Sequence, residues 1–114
     1  MANPVTWFEI IGTDAIKLQK FYGDLFGWKI DSNNPMNYGM VDSSGKDGIK
    51  GGIGGAMGGP SRLLVYATVK DINAALAKAE QLGAKTMMPR TDVGPVIIGI
   101  FEDVEGNAFG LIEG

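Results

Sequence analysis

The stretch WFEIIGTDAIKLQKFYGDLFGWKI, residues 7–30, carries the signals of one strand followed by one capped helix. A strand is predicted over residues 4–11, where aromatic and β-branched side chains dominate. Asp14, or Thr13 beside it, can cap the helix that follows, because a short polar side chain accepts hydrogen bonds from the first helical N–H groups. Gly27 can end that helix. The stretch therefore predicts a β-strand, a capped helix and a glycine stop, in that order.

The same order of signals recurs in the second half of the chain. Residues 62–69 are predicted to form a strand, Asp71 can cap a helix, and Gly83 can end it. Asp71 lies 57 residues after Asp14, which is half of the 114-residue chain. Three strand-like runs follow each helix, at residues 28–30, 37–41 and 49–53 and at residues 85–88, 96–102 and 107–113. The pattern predicts two βαβββ units, and a chance order of such elements is the alternative that the pattern alone leaves open.

The composition limits the chemistry that the chain can carry out. With 114 residues, 45% of them apolar and 20% charged, it fits one folded domain. It contains no histidine and no cysteine, so the commonest transition-metal ligands, the usual general base and any thiol nucleophile are missing. A metal would need carboxylate, carbonyl and water ligands, which suit magnesium or calcium. The net charge of −3 gives no drive toward nucleic acid, and we expect a cationic or neutral small molecule as the partner.

Two further signals bear on where the protein works. No apolar run approaches the ~20 residues that span a membrane, and the N-terminus lacks the basic start and apolar block of a signal peptide. The absence of cysteine fits a reducing compartment. We therefore expect a cytoplasmic protein that does not bind membranes.

These segments together resemble the vicinal oxygen chelate superfamily, which includes glyoxalase I, extradiol dioxygenases and bleomycin-resistance proteins. The resemblance rests on the Asp before the first helix, on "FY" within that helix and "LFGW" at its end, on VYATVKDINAALAKAEQLGA at residues 65–84, and on EDVEGNAFGLIEG at residues 102–114. It covers nearly the whole chain. It implies an α+β fold of one domain with two βαβββ modules, residues 1–56 and 60–114, whose sheets curl around a cleft. It also implies a homodimer.

Carried over by this resemblance, the metal-ligand positions of the superfamily fall on residues that cannot bind a metal through a side chain. They are Trp7 in the first strand, Val65 in the second module, Gly110 in the last strand and a position within residues 51–53. A catalytic zinc needs three protein ligands, and these positions supply none. The closer resemblance is to the metal-free branch of the superfamily, where "WFE", "FGW" and "GNxFGL" recur. The resemblance therefore implies no metal and no other cofactor.

Strand alternation predicts which side chains line the cleft. If Trp7 occupies the former ligand position, Trp7 and Glu9 face the cleft, while Tyr66 of the fifth strand faces away from it. The predicted cleft residues are Trp7, Glu9, Tyr38, Met40, Val65, Ala67, Gly110 and Ile112. Glu9 is the candidate catalytic base, and contact with a ligand or partner, or no role, are the alternatives. Trp7 can stack on a flat or cationic ligand, or it can fill the space of a lost metal site.

The glycine run GGIGGAMGG at residues 51–59 has no phosphate-binding pattern. Its spacing fits neither G-x-G-x-x-G nor G-x-x-x-x-G-K-[ST], and it leads through Pro60 into a strand rather than into a helix. The run is predicted to be the end of a strand and the joint between the two modules. Its small residues are expected to leave room for a partner chain or a ligand.

The leading functional prediction is metal-independent binding of a small molecule in the cleft, as in a resistance or sequestration protein. The first alternative is a lyase or isomerase of glyoxalase type that uses Glu9 without a transition metal. The second alternative is a dimeric scaffold or regulatory module whose cleft has no activity. Loss of turnover in Glu9→Gln would favour the enzyme, and a cleft filled by the protein's own side chains would favour the scaffold.

Overall fold

The computed structural model describes residues 2–42, 45, 47–56 and 59–114, and within them the chain forms eight strands and two helices. The first five elements are β1 (Val5–Gly12), α1 (Ala15–Phe26), β2 (Lys29–Asp31), β3 (Gly39–Asp42) and β4 (Lys50–Gly55). The next five are β5 (Arg62–Val69), α2 (Ile72–Gln81), β6 (Lys85–Asp92), β7 (Ile97–Glu102) and β8 (Ala108–Glu113). Each half has the order βαβββ, so the predicted α+β fold of two such modules is confirmed.

The chain divides into two compact units. One unit is Trp7–Leu63, and the other combines Met1–Thr6 with Leu64–Gly114. The module boundaries expected from the sequence, 1–56 and 60–114, stay predictions. Residues 57 and 58 of the expected joint lie outside the described residues.

In the unit Trp7–Leu63 the strands have the order β2-β3-β4-β1. The β1–β4 pair is parallel, and the two other pairs are antiparallel. Leu18 and Tyr22 of α1 pack against the buried core of the unit. That core consists of Ile10, Val41 and Ile53. One face of this sheet is therefore covered by α1.

The ends of α1 follow the signals in the sequence. The carboxylate of Asp14 accepts a hydrogen bond of 3.0 Å from the backbone N–H of Lys17, as an N-cap does. Gly27 has a φ of 70°, and its N–H donates to the carbonyl of Gly23 at 2.9 Å. A side chain is strained in that left-handed conformation, whereas glycine is not. The predicted cap and the predicted stop are both confirmed.

In the other unit the strands have the order β5-β8-β7-β6, with β5 and β8 parallel and the remaining pairs antiparallel. Asp71 caps α2 by accepting from the N–H of Ala74 at 3.0 Å. Gly83, with a φ of 105°, follows the end of that helix. The buried core between α2 and its sheet consists of Val69, Ile72, Leu76 and Leu111.

A carboxylate of the last strand ties α2 to the sheet. Glu113 Oε2 accepts a hydrogen bond from the backbone N–H of Ile72 at 3.0 Å, at the first turn of α2. Arg90 of β6 donates to both oxygens of the same carboxylate, at 2.8 and 2.9 Å. The guanidinium of Arg90 and the N–H of Ile72 lower the pKa of Glu113 from 4.5 to about 2. The ionised carboxylate therefore holds β6, β8 and α2 together.

Candidate functional site

The sheet face opposite α1 carries the candidate site of the unit Trp7–Leu63. In the strand register, Gly52 lies between Glu9 on one side and Met40 on the other. Paired residues of neighbouring strands share a face, so Glu9 and Met40 lie on the face away from α1. Phe8 packs against the helix-side core, and by alternation Trp7 joins Glu9 on the opposite face. The structure thus brings together the four residues that were predicted for this half of the cleft: Trp7, Glu9, Tyr38 and Met40.

Three of these residues form one hydrogen-bonded chain. The indole Nε1–H of Trp7 donates to Tyr38 Oη at 3.3 Å, and Tyr38 Oη donates to Glu9 Oε2 at 2.9 Å. Burial raises the pKa of the Tyr38 phenol well above its ordinary value, and the negative charge of Glu9 raises it further. The phenol therefore remains a hydrogen-bond donor at neutral pH. A tryptophan N–H can only donate, so the direction of the chain is fixed from Trp7 through Tyr38 to Glu9.

The glycines of β4 form the floor under the Tyr38 ring. A Cβ atom at Gly52 would overlap the hydroxyl end of that ring, and one at Gly54 would come within 2.7 Å of its Cδ1. On the helix side, a Cβ at Gly51 would overlap the ring of Phe8. At these three positions the expected room for a partner or ligand is filled by the protein's own aromatic rings in this conformation, whereas a Cβ at Gly55 would meet nothing within 4 Å.

Tyr38 reaches its place from a loop and not from a strand. The side chain of Asn34 holds Tyr38 at both backbone groups, by accepting from its N–H at 2.9 Å and donating to its carbonyl at 2.7 Å. Asn37, immediately before it, has a φ of 53°. Gln19 of α1 supports the loop by donating to the carbonyls of Asn37 and Ile53 at 2.9 and 3.0 Å. The conformation of the loop from β2 to β3 thus places the Tyr38 phenol over β4.

A pocket of about 390 Å³ lies beside the hydrogen-bonded chain. Its volume is within the range of small-molecule sites. Met40 is 47% exposed there. The lining residues are Trp7, Lys29, Ile30, Asp31, Met40, Val41, Asp42 and Lys50. Trp7 therefore belongs both to this pocket and to the chain that ends at Glu9.

The predicted faces of β5 are wrong. Ala67 pairs with Leu111, and Leu111 belongs to the core under α2, so Ala67 and Val65 lie on the helix side of the sheet. Gly110 and Ile112 pair with Tyr66 and Thr68 on the opposite face. The physical reason is that Val69 packs against α2, and alternation then fixes every second residue of β5. The predicted set Val65, Ala67, Gly110 and Ile112 is therefore divided between the two faces.

Two residues of β5 lie on the face away from α2, where the sequence had predicted Val65 and Ala67. They are Leu64 and Tyr66, which are 3% and 2% exposed. A Cβ at Gly110 would overlap the ring of Tyr66, so Tyr66 fills the place opposite that glycine. The signal that could have found them is the 57-residue offset between Asp14 and Asp71. Adding 57 to the numbers of Trp7 and Glu9 gives Leu64 and Tyr66. Val65 lies one residue after the position that corresponds to Trp7.

The residues at the positions carried over from metal-binding relatives do not fit a transition metal. Trp7 and Gly110 offer no ligand atom in a side chain, and neither does Val65 nor the Leu64 that corrects it. Among the described residues, no three His, Cys, Asp or Glu side chains lie close enough to hold a metal ion. The complete sequence contains no histidine or cysteine. The donor set is therefore wrong for the metals that prefer nitrogen or sulfur ligands.

The sequence matches a known protein family. Residues 5–111 match the model of the glyoxalase/bleomycin resistance protein/dioxygenase superfamily. CFP32 of Mycobacterium bovis, which carries the provisional name of a glyoxylase, is 30% identical over 113 residues. That match covers 92% of this chain and 43% of CFP32, so the chain spans less than half the length of this relative.

Solved structures have the same fold at low sequence identity. A member of the glyoxalase/bleomycin resistance protein/dioxygenase superfamily from Vibrio splendidus superposes with a TM-score of 0.67 at 16% identity, covering 99% of this chain and 100% of that one. Methylmalonyl-CoA epimerase from Mycobacterium tuberculosis gives 0.66 at 12% identity, covering 96% and 86%. Likeness at such identities concerns the fold, and one fold hosts many functions.

Proposed function

The chain belongs to the glyoxalase/bleomycin resistance protein/dioxygenase superfamily, and from that premise we propose that it binds a small organic molecule without a transition metal. The binding face is the sheet face that carries Trp7, Glu9, Tyr38 and Met40. The observation that carries the proposal is the hydrogen-bonded chain from Trp7 through Tyr38 to Glu9, beside a pocket of about 390 Å³. Trp7 is the aromatic lining residue of this pocket, and Lys29, Asp31, Asp42 and Lys50 supply charged groups for polar contacts with a ligand.

Metal independence is supported by the chemistry of the residues present. Oxygen ligands alone suit magnesium and calcium and not zinc, nickel or iron. Glu9 is the one carboxylate in the chain of three side chains, and it accepts a hydrogen bond from Tyr38. Its Oε2 is thus occupied by a donor of the protein. Storage or neutralisation of a harmful compound, as in a resistance or sequestration protein, is the role that such binding without chemistry would serve.

A thermal-shift screen of the wild-type chain against divalent metals and a small-molecule library tests the proposal. A ligand at 100 times its Kd adds about 2.7 kcal/mol to the free energy of unfolding, and a shift of that size is readily measured in a small domain. We expect hits among organic compounds, and we expect the hits to weaken in Trp7→Ala. The matched control is Ile16→Ala, because Ile16 is 69% exposed on α1. Stoichiometric, tight binding of zinc, nickel or iron would overturn metal independence.

The scaffold alternative also has an observation in its favour. Tyr38 covers Gly52 and Gly54, and Tyr66 covers Gly110, so the protein's own rings occupy part of the space that a ligand would use. If this packing is permanent, no compound in the screen will stabilise the chain. The same screen therefore separates a binding protein from a scaffold.

The enzyme alternative rests on the contact between Tyr38 and Glu9. A carboxylate and a phenol 2.9 Å apart can accept and donate protons at one substrate. If a library of lyase and isomerase substrates yields turnover, we expect Glu9→Gln to abolish it while the fold remains intact. Glu105→Gln is the control, because Glu105 lies in the turn between β7 and β8. Turnover that survives Glu9→Gln would exclude Glu9 as the base.

We include a homodimer in the proposal. Three apolar side chains in the second half of α1 are each more than half exposed in the single chain: Phe21, Leu25 and Phe26. Exposed apolar clusters of this kind are often covered by another protein surface. Light scattering on the purified chain tests this assembly, and a monomeric mass at micromolar concentration would contradict it.

The cytoplasmic location is likewise a proposal. In the described part of the chain, no helix is long and apolar enough to cross a membrane. The lack of cysteine in the sequence supports a reducing compartment. Fractionation of cells that produce the protein from its own gene would test the location.

A further inference from the structure

We propose that the surface formed by Gly52 and Gly54, with Glu9 and Trp7 at one end, recognises a planar ring that carries a phenolic or enolic hydroxyl group. In the present conformation the chain's own Tyr38 occupies that surface as an internal ligand, and the external ligand displaces it. The inference rests on the proposed function, because it names the class of molecule that the same sheet face binds.

The shape of the surface matches one aromatic ring. The hydroxyl end of the Tyr38 ring lies over Gly52, and the Cδ1–Cε1 edge of the ring lies over Gly54, where these two atoms are 2.7 and 3.0 Å from the position of a Cβ. The two glycines are alternate residues of β4, so they open on the same face. Any larger residue at either position would occupy the space of the ring. The floor is therefore as long as a single six-membered ring.

The polar groups at the end of this floor select a neutral hydroxyl. Tyr38 Oη donates to Glu9 Oε2 at 2.9 Å and accepts from Trp7 Nε1 at 3.3 Å. A hydroxyl group donates and accepts at once. An ammonium group could donate to Glu9 but would leave the Trp7 N–H without an acceptor, and a carboxylate would meet the negative charge of Glu9. Of the cationic and neutral ligands expected from the sequence, a neutral hydroxyl compound is therefore the more suitable here.

The Tyr38 ring would leave by rotation of its own side chain, because Asn34 holds the backbone of Tyr38 in place. Pairing between β3 and β4 begins at Gly39, opposite Ile53, so Tyr38 itself carries no strand pairing to β4. Asn37 before it has a φ of 53°, a conformation that few residues other than glycine adopt and that Asn tolerates best. The pocket of about 390 Å³ beside Trp7 offers space for the displaced ring or for the rest of the ligand. Displacement would thus leave the β3–β4 pairs intact.

The test uses the full chain with Tyr38→Ala, which vacates the surface, and phenol as the probe. Binding is followed by calorimetry and by the shift in the urea midpoint of unfolding. We expect Tyr38→Ala to bind phenol at least tenfold more tightly than the wild-type chain does, because the internal competitor is gone. We expect about tenfold weaker binding of toluene, which has the ring without the hydroxyl. In Tyr38→Ala/Glu9→Leu this preference for phenol should disappear.

Each outcome of this experiment supports or overturns the recognition of a phenolic ring. Equal binding of phenol by the wild-type chain and Tyr38→Ala would place the site elsewhere, and equal binding of phenol and toluene by Tyr38→Ala would remove the hydroxyl recognition. If Tyr38→Ala shows no cooperative unfolding on its own, refolding with phenol should restore the transition and refolding with toluene should not. Failure of both compounds to restore it overturns the inference.

The result is separable from that of the proposed function. Compounds that stabilise the wild-type chain, together with no phenol binding by Tyr38→Ala, would overturn the ligand class and leave the binding function intact. Phenol binding by Tyr38→Ala together with an unresponsive wild-type chain would keep the recognition surface but make Tyr38 a permanent occupant, which overturns displacement.

Discussion

Tyr38 Oη donates a hydrogen bond of 2.9 Å to Glu9 Oε2, and this bond joins a loop residue to the first strand of the same unit. The two residues are 29 positions apart in sequence. The bond is part-buried, and Trp7 Nε1 approaches the same oxygen of Tyr38. The phenol hydroxyl thus connects the indole of Trp7 to the carboxylate of Glu9.

Removal of this hydroxyl alone should destabilise the fold. In Tyr38→Phe the ring stays on its glycine floor, but Glu9 loses a donor and the Trp7 N–H loses its acceptor. We expect the free energy of unfolding to fall by about 2 kcal/mol, the usual scale for a hydrogen bond to a charged group, as measured by urea denaturation. Tyr22→Phe is the control, because the Tyr22 hydroxyl has no hydrogen bond within the described residues, and it should change stability by less than about 0.5 kcal/mol. Equal effects of the two variants would contradict the assigned role.

The ionisation of Tyr38 gives a second prediction. Burial and the charge of Glu9 raise its pKa above the ordinary value of 10.0, so the folded state favours the protonated phenol. The stabilising contribution is complete below about pH 10 and is lost as the pH rises toward the folded pKa. In an absorbance titration, the absorbance change that comes later than in the unfolded chain should be smaller in Tyr38→Phe than in the wild-type chain. An equal late change in the two proteins would contradict the raised pKa of Tyr38.

Protonation of the Glu113 carboxylate should destabilise the fold in acid. Arg90 and the N–H of Ile72 lower its pKa from 4.5 to about 2, so the folded state favours the ionised form. Its contribution is complete above about pH 4.5 and disappears as the pH falls toward 2. Glu113→Gln should therefore have a lower urea midpoint than wild type at pH 7, and this difference should shrink between pH 4.5 and 2. Glu105→Gln is the matched control, and a constant difference across that range would argue against the ion pair.

The sequence was sufficient for the fold because its strongest signals are local. Asp14 and Asp71 cap the helices as predicted, and Gly27 stops α1. The strand runs of each half lie near their predicted places, although β6 continues past the predicted residues 85–88 to Asp92. A cap depends on neighbours within three residues, and such neighbours are visible in the sequence. Helix and strand positions could therefore be read without knowledge of distant contacts.

The candidate site was predictable in part. Trp7 and Glu9 share a face with Tyr38 and Met40 as expected, but nothing local indicates that a loop would fold the Tyr38 ring over β4. That contact depends on Gly52 and Gly54, which follow Tyr38 by 14 and 16 residues and could equally have served a hinge. The prediction assigned the two faces of β5 the wrong way round, because it took the position of Val65 from a resemblance. In the structure, the contact of Val69 with α2 determines which residues of β5 face the helix.

The glycine floor itself gives the sharpest test of the site. A Cβ atom in Gly52→Ala would overlap the hydroxyl end of the Tyr38 ring, so the ring must move or the strand must shift. We expect a loss of about 1–3 kcal/mol in the free energy of unfolding, the usual cost of overpacking, and an earlier ionisation of the displaced phenol in an absorbance titration. Gly55→Ala is the matched control in the same strand, since a Cβ there meets nothing within 4 Å, and it should change stability by no more than about 0.5 kcal/mol. If Gly52→Ala left both stability and the titration unchanged, the Tyr38 ring would not rest on this floor in solution, and the internal-ligand proposal would lose its structural basis.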